Sequence, residues 1–313
     1  MLAVLFPGQG SQEVGMGRDA FDTSPAAREV FDAADAALGI ALTEICFEGP
    51  EEVLRQTEYL QPAILTTSIA LLRALEEKQE LHPAYLAGHS LGEYSALVAS
   101  GALRFPDAVR LVRARGSFMQ EAVPMGKGAM AAVLGATPEA LTDICRRVSA
   151  ELGQVVSPAN FNSPQQTVIA GDTEAVEQAC EVAKKEGAKR TLNLPVSAPF
   201  HCSLMAPAAE KLAPELAGVP FQDATPPVLS NVEAAPNQEA ARMAGLLTEQ
   251  VTAPVRFTET IEQLVRLGVD RVLEVGPGHV LTGLVARTAR RLRRGNFCSM
   301  GDLAEACSLV SNA

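Results

Sequence analysis

At 313 residues, 47% hydrophobic and 20% charged, the chain holds enough apolar material for one large domain or two smaller ones. A net charge of −11, no Trp and only three Tyr argue against a nucleic-acid binder, which needs basic surface and stacking aromatics. No apolar run is long enough to span a bilayer, no basic leader precedes the first one, and six scattered cysteines lack C-x-x-C spacing. The expectation is a cytoplasmic protein without membrane contact, disulfides or a metal site.

Taken in chain order, Leu2 to Phe6 reads as a buried strand that runs into the Gly8–Gly10 loop. Helical patterns cover about 25–38, 50–56 and 61–78. A short apolar strand, Tyr85-Leu86-Ala87, then meets Gly88-His89-Ser90-Leu91-Gly92, and an apolar helical stretch follows. That layout is a nucleophile elbow, a sharp strand-to-helix turn that exposes one serine hydroxyl. A helix is expected from about 107 to 123. These alternating strands and helices predict an α/β fold with a sheet at least partly parallel.

After Pro124-Met125-Gly126 the pattern becomes β-α-β-β-α-β. The expected elements are a strand at 129–134, a helix at 138–148, strands near 154–160 and 166–171, a helix at about 173–186 and a strand at 190–196. Asn162-Ser163-Pro164 is the expected turn, and Asp172 or Thr173 the expected helix cap. This is the ferredoxin-like order. It divides the chain into a large domain of residues 1–124 and 197–313 and an inserted small domain of residues 125–196. Arg271 to Val275 is a further buried strand ending in Gly276-Pro277-Gly278, at the sheet end where ligands of α/β proteins sit.

A serine nucleophile needs a base, and the chain has four histidines. His82 sits in a loop before Pro83, and His89 adjoins Ser90, where an elbow directs its neighbour elsewhere. His201 follows the return to the large domain and can face a cleft between domains, which makes it the first candidate. His279, in the Gly-Pro-Gly loop, is the next. No acid stands out as a third member, since Asp107 and Asp172 read as helix caps. On the 107–123 helix, Arg115 falls within the apolar stripe of Ala108, Val112, Met119 and Val123. A guanidinium there requires an anion, either an internal carboxylate or a substrate carboxylate held by two parallel hydrogen bonds. A last long helix is expected to carry Leu281, Leu284, Val285, Thr288 and Leu292 on one face and Arg287, Arg290, Arg291 and Arg294 on the other. That basic stripe is either a solvated face or a docking patch for an acidic or phosphate-bearing partner, and Lys184, Lys185, Lys189 and Arg190 form a second candidate patch.

Several motifs recur in a fixed order: Phe6-Pro7-Gly8-Gln9-Gly10-Ser11-Gln12, Gln61-Pro62-Ala63, Gly88 to Tyr94, Arg113-Ala114-Arg115-Gly116, Pro199-Phe200-His201 and Gly276-Pro277-Gly278. Together they resemble the malonyl-CoA:acyl carrier protein transacylases and the related acyltransferase domains of polyketide synthases. The resemblance implies an α/β-hydrolase-like core with a ferredoxin-like insert. It implies malonyl transfer from malonyl-CoA to the phosphopantetheine thiol of acyl carrier protein, with no permanently bound cofactor. It assigns Ser90 as acyl carrier, His201 as base, and the N–H groups of Gln9 and Leu91 as oxyanion hole. Arg115 would pair with the malonyl carboxylate, and the main-chain carbonyl of Gln250 would orient His201. Asn160, Phe200, Met119 and Gln61 complete the substrate-binding set, Phe200 and Leu91 being of the malonyl-selecting type. His279 departs from the family, where lysine is common near coenzyme A. The competing readings are a serine thioesterase or carboxylesterase and a catalytically silent module that docks carrier protein.

Overall fold

The computed structural model describes residues 1–196 and 198–311. Ser197, where the return to the large domain was expected to begin, lies outside the described residues, as do residues 312 and 313. β1 (Leu2–Phe6) is buried throughout, as five consecutive apolar residues require. α1 (Pro25–Leu38) starts where the Ser24 side chain accepts the Ala27 N–H and ends at Gly39, whose φ of 65° closes the last turn. α2 (Thr57–Glu76) begins four residues before the expected start at 61, because the chain accommodates Pro62 inside the helix. β2 (Tyr85–Gly88) leads into the turn at Ser90, followed by α3 (Gly92–Ala99) and α4 (Phe105–Glu121).

The middle of the chain supplies β3 (Gly128–Leu134), α5 (Pro138–Leu152), β4 (Val156–Ser163), β5 (Gln166–Asp172), α6 (Thr173–Lys185) and β6 (Arg190–Asn193). Then come β7 (Val228–Leu229), β8 (Pro236–Asn237), α7 (Ala240–Gln250), β9 (Arg271–Val275), α8 (Val280–Thr288) and β10 (Arg293–Phe297).

Two sheets result. The first runs β10-β9-β1-β2-β7-β8, parallel at every pairing except β7 with β8. The second runs β4-β5-β3-β6 and is antiparallel throughout. Apolar side chains on both faces of β1 explain why it sits inside the first sheet: Leu2, Val4 and Phe6 join one core cluster, Ala3 and Leu5 another. The sheets are tied where Asn160 bridges Val255, with the Phe161 N–H donating to the Val255 carbonyl at 2.9 Å. No helix among the described residues is long and apolar enough to cross a membrane.

Four local expectations need correction. The last long helix stops at Thr288, and 293–297 is the edge strand β10 paired to β9, so backbone pairing with the sheet overrides helical periodicity. The arginines therefore separate: Arg287 lies in the last turn of α8, Arg290 and Arg291 lie in the following turn, and Arg294 is on β10. Asp107 does not cap α4 but pairs with Arg104 and Arg110. Asp172 does hold the N-cap position of α6, as expected, but its carboxylate accepts the Val155 N–H at 2.8 Å and not a helix N–H. β4 continues through Ser163, placing the turn at Pro164 and Gln165. β6 ends at Asn193, because Pro195 lacks the N–H that a longer ladder needs.

Candidate active site

Three backbone segments cross within a few ångströms at the elbow. A Cβ on Gly88 would lie 1.9 Å from the Gly92 carbonyl carbon, and one on Gly92 would lie 2.0 Å from the Phe6 carbonyl oxygen. Only glycine fits either position. Between them Ser90 takes φ 52°, a left-handed conformation that strains a residue with a side chain. Asn231, just past β7, holds that conformation. Its Oδ1 accepts the Ser90 N–H at 2.7 Å and its Nδ2 donates to the Gly88 carbonyl at 2.7 Å. His201 is also left-handed, with φ 61°. Among the described residues only Ala234 joins these two as a non-glycine with positive φ. Strain thus concentrates on the two groups that meet.

The meeting is a direct one. Ser90 Oγ lies 2.7 Å from His201 Nε2, and His201 Nδ1 lies 2.8 Å from the Gln250 main-chain carbonyl. A carbonyl can only accept, so Nδ1 carries the ring proton and Nε2 is left to accept the serine proton. Burial, and then the positive charge of Arg115, hold His201 down to about 3. Its imidazole is therefore neutral at physiological pH.

Arg115 reaches the same oxygen from α4. Its Nη2 donates to Ser90 Oγ at 3.1 Å and to Gln250 Oε1 at 2.9 Å, and its Nη1 donates to Gln61 Oε1 at 2.8 Å. The residue is 1% exposed, and burial lowers its guanidinium from the ordinary range, although arginine stays charged. Among the described residues no carboxylate lies within ion-pair distance of it, and the negative charge of Glu93 acts on it only without contact. A buried cation is held by two neutral amides and the face of Tyr94, 5.6 Å away.

The cavity above Ser90 has a volume of about 90 Å³. Gln9, Gln61, His89, Ser90, Arg115, Met119, Asn160, Phe200 and His201 line it, together with Met130, Leu194 and Val196 from the second sheet and the segment after it. That is room for a short acyl group, not for a bulky one. Larger surface grooves exist, one of about 830 Å³ that shares Gln9 and Val196 with the cavity, but they lack the serine, the base and the cation. Leu91 is buried at the start of α3. The elbow commits the N–H groups of Ser90, Gly92, Glu93 and Tyr94 to protein acceptors; among the described residues that of Leu91 has none.

The expected residues therefore converge, with two exceptions. His89 is not directed away from the site: its ring lines the cavity and its Nε2 shares a 2.8 Å hydrogen bond with Asn162 Oδ1. His279 is exposed before α8 and does not line the cavity. The reading missed Asn231, Met130, Leu194 and Val196. An isolated asparagine in a loop gives no sequence signal, and the three apolar residues read as ordinary strand positions. Besides the main-chain contact expected of it, Gln250 reaches Arg115 and the Ser90 carbonyl with its side chain, the latter at 3.1 Å.

The acyl transferase domain family matches residues 4–307. The malonyl CoA-acyl carrier protein transacylase of Bacillus subtilis (strain 168) is 52% identical over 292 residues, covering 93% of this chain and 92% of that protein. The chain belongs to the malonyl CoA-acyl carrier protein transacylase family. The Escherichia coli (strain K12) member is 50% identical over 285 residues, 91% of this chain and 92% of its own length. Among solved structures, the transacylase from Coxiella burnetii superposes with a TM-score of 0.96 at 42% identity, covering 99% of this chain and 98% of that one. A malonyl-transacylase solved in complex with a type II polyketide synthase acyl-carrier protein has a TM-score of 0.95 at 45% identity, covering 100% and 99%. Family membership makes the chain an acyltransferase.

Proposed function

We propose that the chain moves a malonyl group from malonyl-CoA to the phosphopantetheine thiol of acyl carrier protein through a malonyl-Ser90 ester. Ser90 Oγ attacks the thioester carbonyl carbon while His201 Nε2 takes the hydroxyl proton. The N–H groups of Gln9 and Leu91 carry the charge of the tetrahedral oxyanion. The carbon–sulfur bond breaks, and the coenzyme A sulfur leaves with the proton from His201. In the second half the carrier thiol gives its proton to His201 and attacks the ester, and Ser90 recovers its proton as the ester bond breaks. The carbonyl of Gln250 orients the base without adding an anion beside the malonyl carboxylate, which like-charge repulsion would disfavour.

The observation that carries this reading is the fully buried Arg115, 3.1 Å from Ser90 Oγ and paired only with neutral groups. Such a cation is suited to a substrate bearing a free carboxylate on a short acyl chain, which an ordinary ester or acetyl thioester lacks. Met119, Gln61, Asn160 and Phe200 shape the pocket around that carboxylate. Coenzyme A thioester and phosphopantetheine enter as substrates, and the chemistry calls on no resident cofactor. The acidic carrier docks on a local basic patch, for which Arg287 is one candidate, its Nη1 donating to Gln166 Oε1 on β5 of the second sheet. Residues 125–196 act as a ferredoxin-like insert in an α/β-hydrolase-like core formed by residues 1–124 and 197–313; the strand order β4-β5-β3-β6 supports this division. The protein works in the cytoplasm. The test is acylation: malonyl-CoA should load the native chain and not the Ser90→Ala variant, and loading of that variant would overturn the assignment.

A further inference from the structure

A buried acid that takes no part in the chemistry adjoins the site. Glu93, in the first turn of α3, is 3% exposed. Its Oε2 accepts from Gln250 Nε2 at 2.7 Å and from the Asn231 N–H at 3.0 Å. Those two partners hold the site together: Asn231 fixes the strained elbow, and Gln250 serves both Arg115 and His201. Glu93 and Arg115 do not touch. The Gln250 amide lies between them, its oxygen on the cation and its nitrogen on the anion. A carboxylate bonded directly to the guanidinium would occupy the fork that a substrate carboxylate needs. Placed one residue away, it balances the charge and leaves the fork free. Beside Glu93 a cavity of about 10 Å³, also lined by Ser230 and Asn237, has room for one water.

We propose that Glu93 is a positioning residue that acts through Gln250 as the buried counter-charge of Arg115 and so limits how tightly the malonyl carboxylate is held. This rests on the reading of Arg115 as the carboxylate clamp. An acyl group must be released to the second thiol, and a bare buried guanidinium would hold the acyl-enzyme too firmly. Burial pushes Glu93 up to about 7, against the hydrogen bonds from Asn231 and Gln250 and the attraction of Arg115. The other charged or titratable groups acting on it are Glu233, from the segment after β7, and its helix neighbour Tyr94. The sign follows. On the alkaline side of neutrality Glu93 is ionised and repels the malonyl carboxylate, and on the acid side it is neutral and does not. An acetyl group carries no charge and feels neither state.

The experiment compares kcat/KM for malonyl-CoA and acetyl-CoA on both sides of neutrality in the native protein, Glu93→Gln and Arg115→Ala. Glutamine keeps an acceptor for both hydrogen bonds and turns its amide nitrogen toward the cavity that Ser230 and Asn237 line. The native malonyl-to-acetyl ratio should fall as pH rises through neutrality. Glu93→Gln should abolish that fall and raise the ratio on the alkaline side by at least about fivefold, the lower end of ordinary coupling between two sites. A native ratio independent of pH overturns the proposal, and this arm stands even where the variant fails to fold. Equal losses for both acyl groups in Glu93→Gln also overturn it, since that is what a merely structural role produces. If Arg115→Ala leaves the ratio unchanged, the clamp reading itself fails. If Arg115→Ala collapses the ratio and Glu93→Gln does not move it, only the counter-charge fails.

Discussion

Replacing Arg115 with alanine separates what the cation does for the fold from what it does for the substrate. Truncation removes a buried side chain and leaves Gln61 Oε1 and Gln250 Oε1 without their donor. Each orphaned acceptor costs about 1–3 kcal/mol, and that loss falls on every substrate alike. The malonyl carboxylate suffers a second loss, because it enters a buried cavity with no cation to meet it. Removing one partner of a buried, hydrogen-bonded charge pair costs about 2–5 kcal/mol, or a factor of about 30 to several thousand. The prediction concerns the ratio of kcat/KM for malonyl-CoA to that for acetyl-CoA, measured as thiol release in single-turnover acylation. It should drop at least about 30-fold in Arg115→Ala. Arg115→Lys should recover little of it, since one ammonium cannot span Gln61, Gln250 and a carboxylate with the geometry of the fork. A ratio that survives the alanine substitution would refute the reasoning, however large the loss common to both acyl groups.

Three further outcomes follow from the geometry. His201→Ala should slow acylation about 10²–10⁴-fold, and because the native imidazole is held down to about 3, acetyl transfer in the native protein should show no acid limb near the ordinary histidine range; a limb at about 6.5 in the pH profile would contradict this. Gly92→Ala should fail to give folded protein, since its Cβ would meet the Phe6 carbonyl oxygen at 2.0 Å; a variant with a native circular dichroism melt would contradict the packing described. Asn231→Leu should cost about 2–5 kcal/mol in urea unfolding, through the unpaired Ser90 N–H and Gly88 carbonyl, and should slow acylation of malonyl and acetyl groups equally, unlike Arg115→Ala.

How much of this could be read in the sequence depended on distance along the chain. The elbow was legible because strand, glycines, serine and helix are consecutive. Arg115 was legible because a charge inside an apolar stripe violates helical periodicity within a single element. The β-α-β-β-α-β order of residues 128–193 followed from local pattern, although β6 proved shorter than expected. The support beneath the nucleophile was not legible. Asn231 lies 141 residues from Ser90, and Gln250 lies 157 from Glu93, so each contact exists only once the first sheet has assembled. The same limit explains the C-terminal error: 281–292 has helical periodicity, and only the free edge of β9 tells the chain to become β10. Asp172 does stand at the N-cap of α6, but the partner of its carboxylate, the Val155 N–H 17 residues back, is set by the β4–β5 pairing and not by local sequence.

The central claim is that Ser90 carries the acyl group between two thiols. Intact-protein mass spectrometry after brief mixing with malonyl-CoA tests it most directly, with Ser90→Ala as the control. The account predicts a malonyl increment on the native chain alone, discharged faster by holo-acyl carrier protein than by water. Discharge by water at the same rate with or without carrier would make the protein a hydrolase and contradict the account.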